Sequence, residues 1–245
     1  MLLAITGAGM LGTALAARLR DGGHEVRVID AVDAPGVEVA NLLELPDLAA
    51  ALDGVDGVFH TAGLHGWRDN PPLDFLETNV RGVWNLLEAM RTAGITRLVH
   101  SSTVGAYGDP GEVDLTIDGD TAPTARVDVY GTSKRLAEHV IDLLAPKFSI
   151  DAVVLRYGGF RQLIEQRFGA VPADLAAHGP VVDLEDVVTA NVAAMARLPL
   201  PRLGYIVIPS GGTSTSNYRI DASTTEKDLG FTFRHTYRDI CEASA

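Results

Sequence analysis

The sequence predicts an α/β fold of the Rossmann type, a doubly wound parallel sheet with a small C-terminal substrate lobe. Three observations predict it. Apolar runs of strand length alternate with stretches of helical periodicity, the mark of a parallel sheet covered by helices. A glycine-rich segment, Thr6-Gly7-Ala8-Gly9-Met10-Leu11-Gly12, joins the first such run to the first helical stretch. Further on, Tyr130 and Lys134 stand four residues apart in Val129-Tyr130-Gly131-Thr132-Ser133-Lys134, which places both on one helical face.

The elements follow in order. Strands are expected at residues 2–6, 25–30, 37–41, 57–61, 97–101 and 151–156, the third being weak. Helices are expected at 11–20, ending at Gly22-Gly23, and at 47–52. A long helix is expected over 73–92, stopped by Gly94. The Tyr130/Lys134 helix spans 125–144 and ends before Pro146. Residues 108–122, rich in Asp and Gly, read as a loop. Beyond Arg156 the pattern loosens: helices at 162–168 and 184–197, a strand at 205–208, and a surface loop at 211–217.

Composition narrows the function. With 245 residues, 47% of them hydrophobic, the chain can bury one sizeable core. Its formal charge of −12, from 20 basic and 32 acidic residues, disfavours nucleic acid as a partner. The single cysteine, Cys241, excludes an internal disulfide and a thiol-rich metal site. No run approaches the roughly 18 apolar residues of a membrane span. The apolar run Met1-Leu2-Leu3-Ala4-Ile5 lacks a basic leader and is too short to be expected as a signal peptide. These features lead to the expectation of a cytoplasmic protein without a bound metal.

Gly7, Gly9 and Gly12 give the spacing G-x-G-x-x-G between a strand and a helix, the context in which this motif binds a dinucleotide. The first glycine permits the tight turn. The second lets the backbone approach the pyrophosphate at the helix N-terminus, where Met10 and Leu11 follow. The third allows helix to pack on strand. Asp30 ends the second strand, 18 residues after Gly12, where a carboxylate accepts the ribose hydroxyls and repels a 2′-phosphate. No arginine follows it, so NAD is favoured over NADP. A dinucleotide loop with a Tyr/Lys pair reads as a hydride-transfer enzyme with a tyrosine acid/base. A free phenol has a pKa near ~10, so Tyr130 needs the Lys134 cation and the positive nicotinamide to act as base at neutral pH.

Further segments carry a resemblance. Gly57-Val58-Phe59-His60-Thr61-Ala62-Gly63, Glu77-Thr78-Asn79-Val80-Arg81-Gly82 and Leu98-Val99-His100-Ser101-Ser102-Thr103 are three of them. Tyr107-Gly108, the Tyr130–Lys134 run and Leu184-Glu185-Asp186-Val187 continue it. Together they resemble the extended short-chain dehydrogenases/reductases, the NAD-dependent epimerase/dehydratase family. The glycine loop departs from that family's usual T-G-x-x-G-x-x-G by one residue.

The resemblance implies a dinucleotide-binding core over residues 1–156 and a reduced substrate-binding part over 157–245, packed as one domain. It places Asn41 and Leu42 near adenine, and Thr61, Ala62 and Gly63 along the cofactor. It implies that Lys134 bonds the nicotinamide ribose and that Thr103 holds the substrate oxygen beside Tyr130, with Ser102 as neighbour. Asn79 matches an asparagine that supports the helix backbone or a proton-relay water. The family also implies a homodimer through helices 73–92 and 125–144, and the apolar stripe Leu136, Val140, Leu143 and Leu144 agrees with one.

Two departures bear on the reaction. Dehydrating members carry Asp-Glu after the catalytic Thr, whereas Val104-Gly105 follow Thr103 here, which argues against a dehydratase. The family's R-P-G-N-like run appears as Arg156-Tyr157-Gly158-Gly159, and only about 90 residues follow Arg156. A small sugar, sugar acid or similar hydroxyl or carbonyl compound is therefore the expected substrate of an NAD-dependent oxidoreductase. A sugar or nucleotide-sugar epimerase is the alternative, and a non-catalytic dinucleotide sensor a second. His65, Trp67 and Arg68, in the loop after the fourth strand, are candidate substrate contacts, and Arg161 a candidate anion anchor. His60, inside an apolar strand, reads as a core residue.

Overall fold

The computed structural model describes residues 1–245 apart from 68, 109–114, 119–120, 122–127, 172–179, 213–217, 237–238 and 240–245. Arg68 and Cys241 therefore lie outside the described residues. Among those described, the strands are β1 (Leu2–Thr6), β2 (Glu25–Asp30), β3 (Val37–Val39), β4 (Gly57–His60), β5 (Arg97–Thr103), β6 (Leu115–Ile117), β7 (Asp151–Tyr157), β8 (Gly159–Phe160), β9 (Val181–Val182), β10 (Gly204–Val207), β11 (Gly211–Gly212) and β12 (Tyr218–Ile220). The α-helices are α1 (Met10–Asp21), α2 (Leu45–Ala51), α3 (Pro72–Leu76), α4 (Gly82–Ala93), α5 (Val129–Leu144), α6 (Arg161–Phe168), α7 (Leu184–Arg197) and α8 (Ser223–Leu229).

Seven strands form one parallel sheet in the order β10-β7-β5-β4-β1-β2-β3. Alternation of side chains explains its two buried faces. Leu3 and Ile5 of β1, with Val153 and Leu155 of β7, pack against α1 and α7. Ala4 and Val154 face the other way, against α2, α4 and α5. The strand order reverses between β1 and β4, so their connections leave in opposite senses and open a crevice at the carboxyl edge.

The C-terminal part is interleaved with the core: β10 is an edge strand of the main sheet and α7 covers it. Residues 108–122, expected as a loop, contain β6, which pairs in parallel with β12. Residues 211–217, expected as a surface loop, begin with β11, itself paired with β12. Ile117 closes a small core with Tyr107, Ile206 and Ile208, a stabilisation available only once distant segments meet.

The helix expected over residues 73–92 is interrupted. After α3 the backbone makes a π-helical turn, Glu77–Arg81, before α4 begins. Such a turn inserts an extra residue and redirects side chains, often at functional sites. Here it buries Asn79.

Candidate active site

The carboxyl ends of β1, β4 and β5 and the start of α5 supply the site. At the glycine loop, Gly7 has φ 101°. A Cβ on Gly12 would stand 1.9 Å from the Gly7 carbonyl oxygen, so α1 approaches the loop only with glycine there. A Cβ on Gly9 would meet nothing within 4 Å, and no side chain caps α1. The helix end thus presents unfilled space and unsatisfied backbone N–H groups, which suit a pyrophosphate. Asp30 closes the other side: its carboxylate accepts the N–H groups of Ala8 (2.7 Å) and Val32 (3.0 Å). These residues fit a dinucleotide.

The remaining expected cofactor residues divide by their contacts. Thr61 donates to the carbonyls of Thr6 and Gly7, 3.0 Å each, fastening β4 to the loop, and Ala62 packs on Gly7. Leu11 and Leu42 are buried in the core, and Met10 is half-buried. Asn41 accepts the Leu43 N–H at 2.9 Å, folding its amide oxygen into its own turn. Gly63 lies against Asn79 and the Lys134 ammonium.

Asp128 caps α5 by accepting the Gly131 N–H at 2.6 Å. A Cβ on Gly131 would stand 2.6 Å from the Gly105 carbonyl oxygen, so this glycine lets α5 press against the turn after β5. That approach brings Tyr130 beside Thr103, whose hydroxyl favours the phenolate. Thr103 also accepts the Gly105 N–H at 3.0 Å. One turn on, Lys134 is buried and donates to the Ser101 carbonyl at 2.8 Å.

Asn79 supports this face. It accepts the Leu64 N–H at 2.8 Å and donates to the Leu64 carbonyl (3.0 Å) and Ser133 Oγ (2.9 Å). Its amide ties the loop after β4 to α5.

The Tyr130 phenol is pushed up to about 12, because burial outweighs the opposing influence of Thr103 and Asp128 acts in the same direction as burial. Burial draws Lys134 down to about 8 against the opposing pull of Glu138. Its ammonium is committed to the Ser101 carbonyl. In this state Tyr130 is a proton donor at neutral pH.

Two expected substrate contacts are otherwise engaged. Ser102 donates to Glu138 at 2.5 Å within a buried network. Arg161 is held by Asp183 through Nε (3.0 Å) and Nη2 (2.5 Å) and by Glu165 through Nη1 (3.0 Å). His65 accepts the Trp67 N–H at 3.3 Å. His60 is a core residue: it stacks on His100 with ring centroids 5.1 Å apart and bonds Thr6 Oγ1 at 2.5 Å. Among the described residues no three metal-ligating side chains converge. A depression of about 560 Å³ beside β2 and β3, lined by Arg20, His24, Arg27 and Glu38, opens at the amino ends of the strands, away from Tyr130.

The sequence reading missed a network behind the site. Glu138, one turn beyond Lys134, receives Arg156 through Nε (3.1 Å) and Nη2 (2.9 Å). Arg156 also donates to the Tyr107 hydroxyl at 2.8 Å. The spacing Tyr130, Lys134, Glu138 was the available signal, since i, i+4 and i+8 share a face.

The profile of the NAD dependent epimerase/dehydratase family matches residues 3–160. The chain belongs to that family. UDP-glucose 4-epimerase of Corynebacterium glutamicum is 35% identical over 167 residues, which cover 64% of this chain and 50% of that protein. The chain thus spans about half the length of the curated relatives it matches. Among solved structures, MoeE5 in complex with UDP-glucose and NAD superposes with a TM-score of 0.78 at 20% identity, covering 100% of this chain and 97% of that one. A mutated uronate dehydrogenase superposes with a TM-score of 0.74 at 24% identity, covering 99% and 85%. These likenesses show the fold. Among the described residues no helix is long and apolar enough to cross a membrane.

Proposed function

We propose that this protein binds NAD and interconverts epimers of a nucleotide sugar by transient oxidation of a sugar hydroxyl, with Tyr130 as acid/base. The observation that carries the proposal is Tyr130 set beside Thr103 by the close approach of α5 to the turn after β5, with buried Lys134 one turn away on the same helix. The family's name, the UDP-glucose 4-epimerase relatives and the NAD-bound neighbours support the cofactor and the epimerase reading. Asp30, at the ribose end of the glycine loop, supports NAD over NADP.

The nicotinamide, when bound, supplies the hydride acceptor and a positive charge. Thr103 and Tyr130 converge on one point and hold the hydroxyl being oxidised. Tyr130 takes its proton as the ketone forms and returns a proton as the carbonyl is reduced. The phenol's high resting pKa suits the return step, and added positive charge lowers it for the forward one. Asn79 keeps the loop after β4 in register with α5, and Lys134 fixes α5 to the end of β5.

A second reading, net oxidation of a small sugar or sugar acid, is favoured by the short C-terminal part and by Gly158-Gly159 at the family's R-P-G-N-like run. Incubating the NAD-loaded protein with UDP-glucose separates them. Formation of UDP-galactose without accumulated NADH is the result we expect. Stoichiometric NADH with a sugar or sugar acid would favour the second reading. NAD binding without turnover on either would favour a sensor. The exposed Trp84, Leu136 and Leu143 of α4 and α5 support the further proposal of a homodimer through these helices.

A further inference from the structure

The segments leaving β4 and β7 meet above the end of β5. Strand order places β5 between β4 and β7, all parallel, so their carboxyl ends lie side by side with Thr103 in the middle. From β4 the chain runs to Gly66, where a Cβ would stand 3.1 Å from the Tyr130 ring, and then to Trp67. From β7 it runs through β8 into α6, which ends in Arg167 and Phe168. Trp67 meets Phe168 edge to face at 6.4 Å, and the Arg167 guanidinium lies over both rings, 5.3 Å from the centroid of Trp67 and 5.5 Å from that of Phe168. A bridge of two rings and one cation therefore spans the rim beside Tyr130 and Thr103.

Its chemistry is unusual for an acidic protein. Trp67 is 39% and Phe168 55% exposed, a large apolar area to leave at a cleft mouth. Arg161, at the other end of α6, is saturated by Asp183 and Glu165. Arg167 has no carboxylate partner among the described residues, in a chain with 32 acidic side chains. Its guanidinium rests against the two rings and keeps N–H groups for an anion.

We infer that Trp67, Arg167 and Phe168 form a substrate-selecting subsite for a sugar that carries an anionic group. The rings offer apolar surface to the C–H face of the sugar, and Arg167 takes the anion, a diphosphate or a carboxylate. The inference rests on the hydride-transfer reading only for where the reacting carbon lies. None of the three side chains is among those that meet Gly7, Gly9 or Gly12, so the subsite selects substrate and leaves cofactor binding alone.

The test is calorimetric and needs no turnover. NAD-loaded Tyr130→Phe protein is titrated with UDP-glucose, glucuronate and glucose, with and without Arg167→Gln and Trp67→Leu. Arg167→Gln is expected to weaken the preferred anionic probe about tenfold or more, the scale of a lost charge-assisted hydrogen bond, while glucose and NAD affinities hold. Trp67→Leu is expected to weaken the anionic probe and glucose alike. Preference for UDP-glucose marks the diphosphate as the anion, and preference for glucuronate marks the carboxylate. Unchanged binding of both anionic probes in Arg167→Gln overturns the inference, as does failure of both to bind the protein that retains Arg167. Arg167-dependent binding of UDP-glucose without epimerisation by the unsubstituted enzyme would sink the proposed reaction and leave the subsite standing.

Discussion

Replacing Glu138 with Gln tests how the fold holds the buried Arg156 and Lys134 cations. The Arg156 and Glu138 side chains are only 12% and 8% exposed. Arg156 Nε and Nη2 both bond the carboxylate, and Ser102 donates to it as well. Gln keeps the shape but removes the charge, leaving a buried guanidinium without its counter-ion. Breaking such a pair from one side costs about 3–5 kcal/mol. The retained amide oxygen still accepts one bond, so the lower end, about 3 kcal/mol, is expected. Urea unfolding at neutral pH measures it. Removing both charges together, as Glu138→Leu with Arg156→Met, should recover much of the loss, because no lone charge stays buried. A second readout concerns Lys134, whose ammonium is favoured by Glu138 and is lost as pH rises through about 8. Without Glu138 that loss moves to lower pH, so the alkaline fall in hydride transfer should shift the same way. A cost below about 1 kcal/mol together with an unmoved pH profile would refute the reasoning.

Three further outcomes are expected. His60 is held down to about 3 by burial, so the unfolded chain binds a proton below pH ~6.5 that the folded chain refuses. Its contribution is complete above that pH and falls away on acidification, by about 2 kcal/mol between pH ~7 and ~5, with His100 acting in the same direction. Urea unfolding at both pH values should show His60→Asn losing less than the unsubstituted protein, and equal losses would count against this. Gly12→Ala puts a methyl 1.9 Å from the Gly7 carbonyl oxygen and should abolish NAD binding in a calorimeter, whereas retained affinity would contradict the loop's role. Asp30→Asn keeps an acceptor for the Ala8 N–H but loses the charge that repels a 2′-phosphate. It should narrow the preference for NAD over NADP about tenfold, and a preference left unchanged would remove Asp30 from cofactor selection.

The sequence was legible where local pattern and tertiary need agree. The strands β1 and β7 are buried on both faces at residues 3–6 and 153–155, so composition alone marks these runs as central parallel strands. The glycine loop and the Tyr130–Lys134 spacing carry their geometry in a few residues. Legibility failed where structure depends on remote partners. β6 is three residues in an Asp- and Gly-rich stretch and exists because Tyr218–Ile220 pairs with it. The π turn at Glu77–Arg81 has no breaker residue, and its sign is Asn79 bonded to Leu64 and Ser133. Arg161 and Ser102 looked available because their partners, Asp183 and Glu138, come 22 and 36 residues later. Arg167 and Phe168 draw meaning only from Trp67, across the mouth of the cleft.

The decisive measurement mixes NAD-loaded enzyme with UDP-glucose in a stopped-flow cell and follows absorbance of the reduced nicotinamide. We expect a transient in the unsubstituted protein and its loss, by several orders of magnitude in rate, in Tyr130→Phe with NAD still bound. A transient of equal rate in that variant would take the proton from some other group and contradict the account.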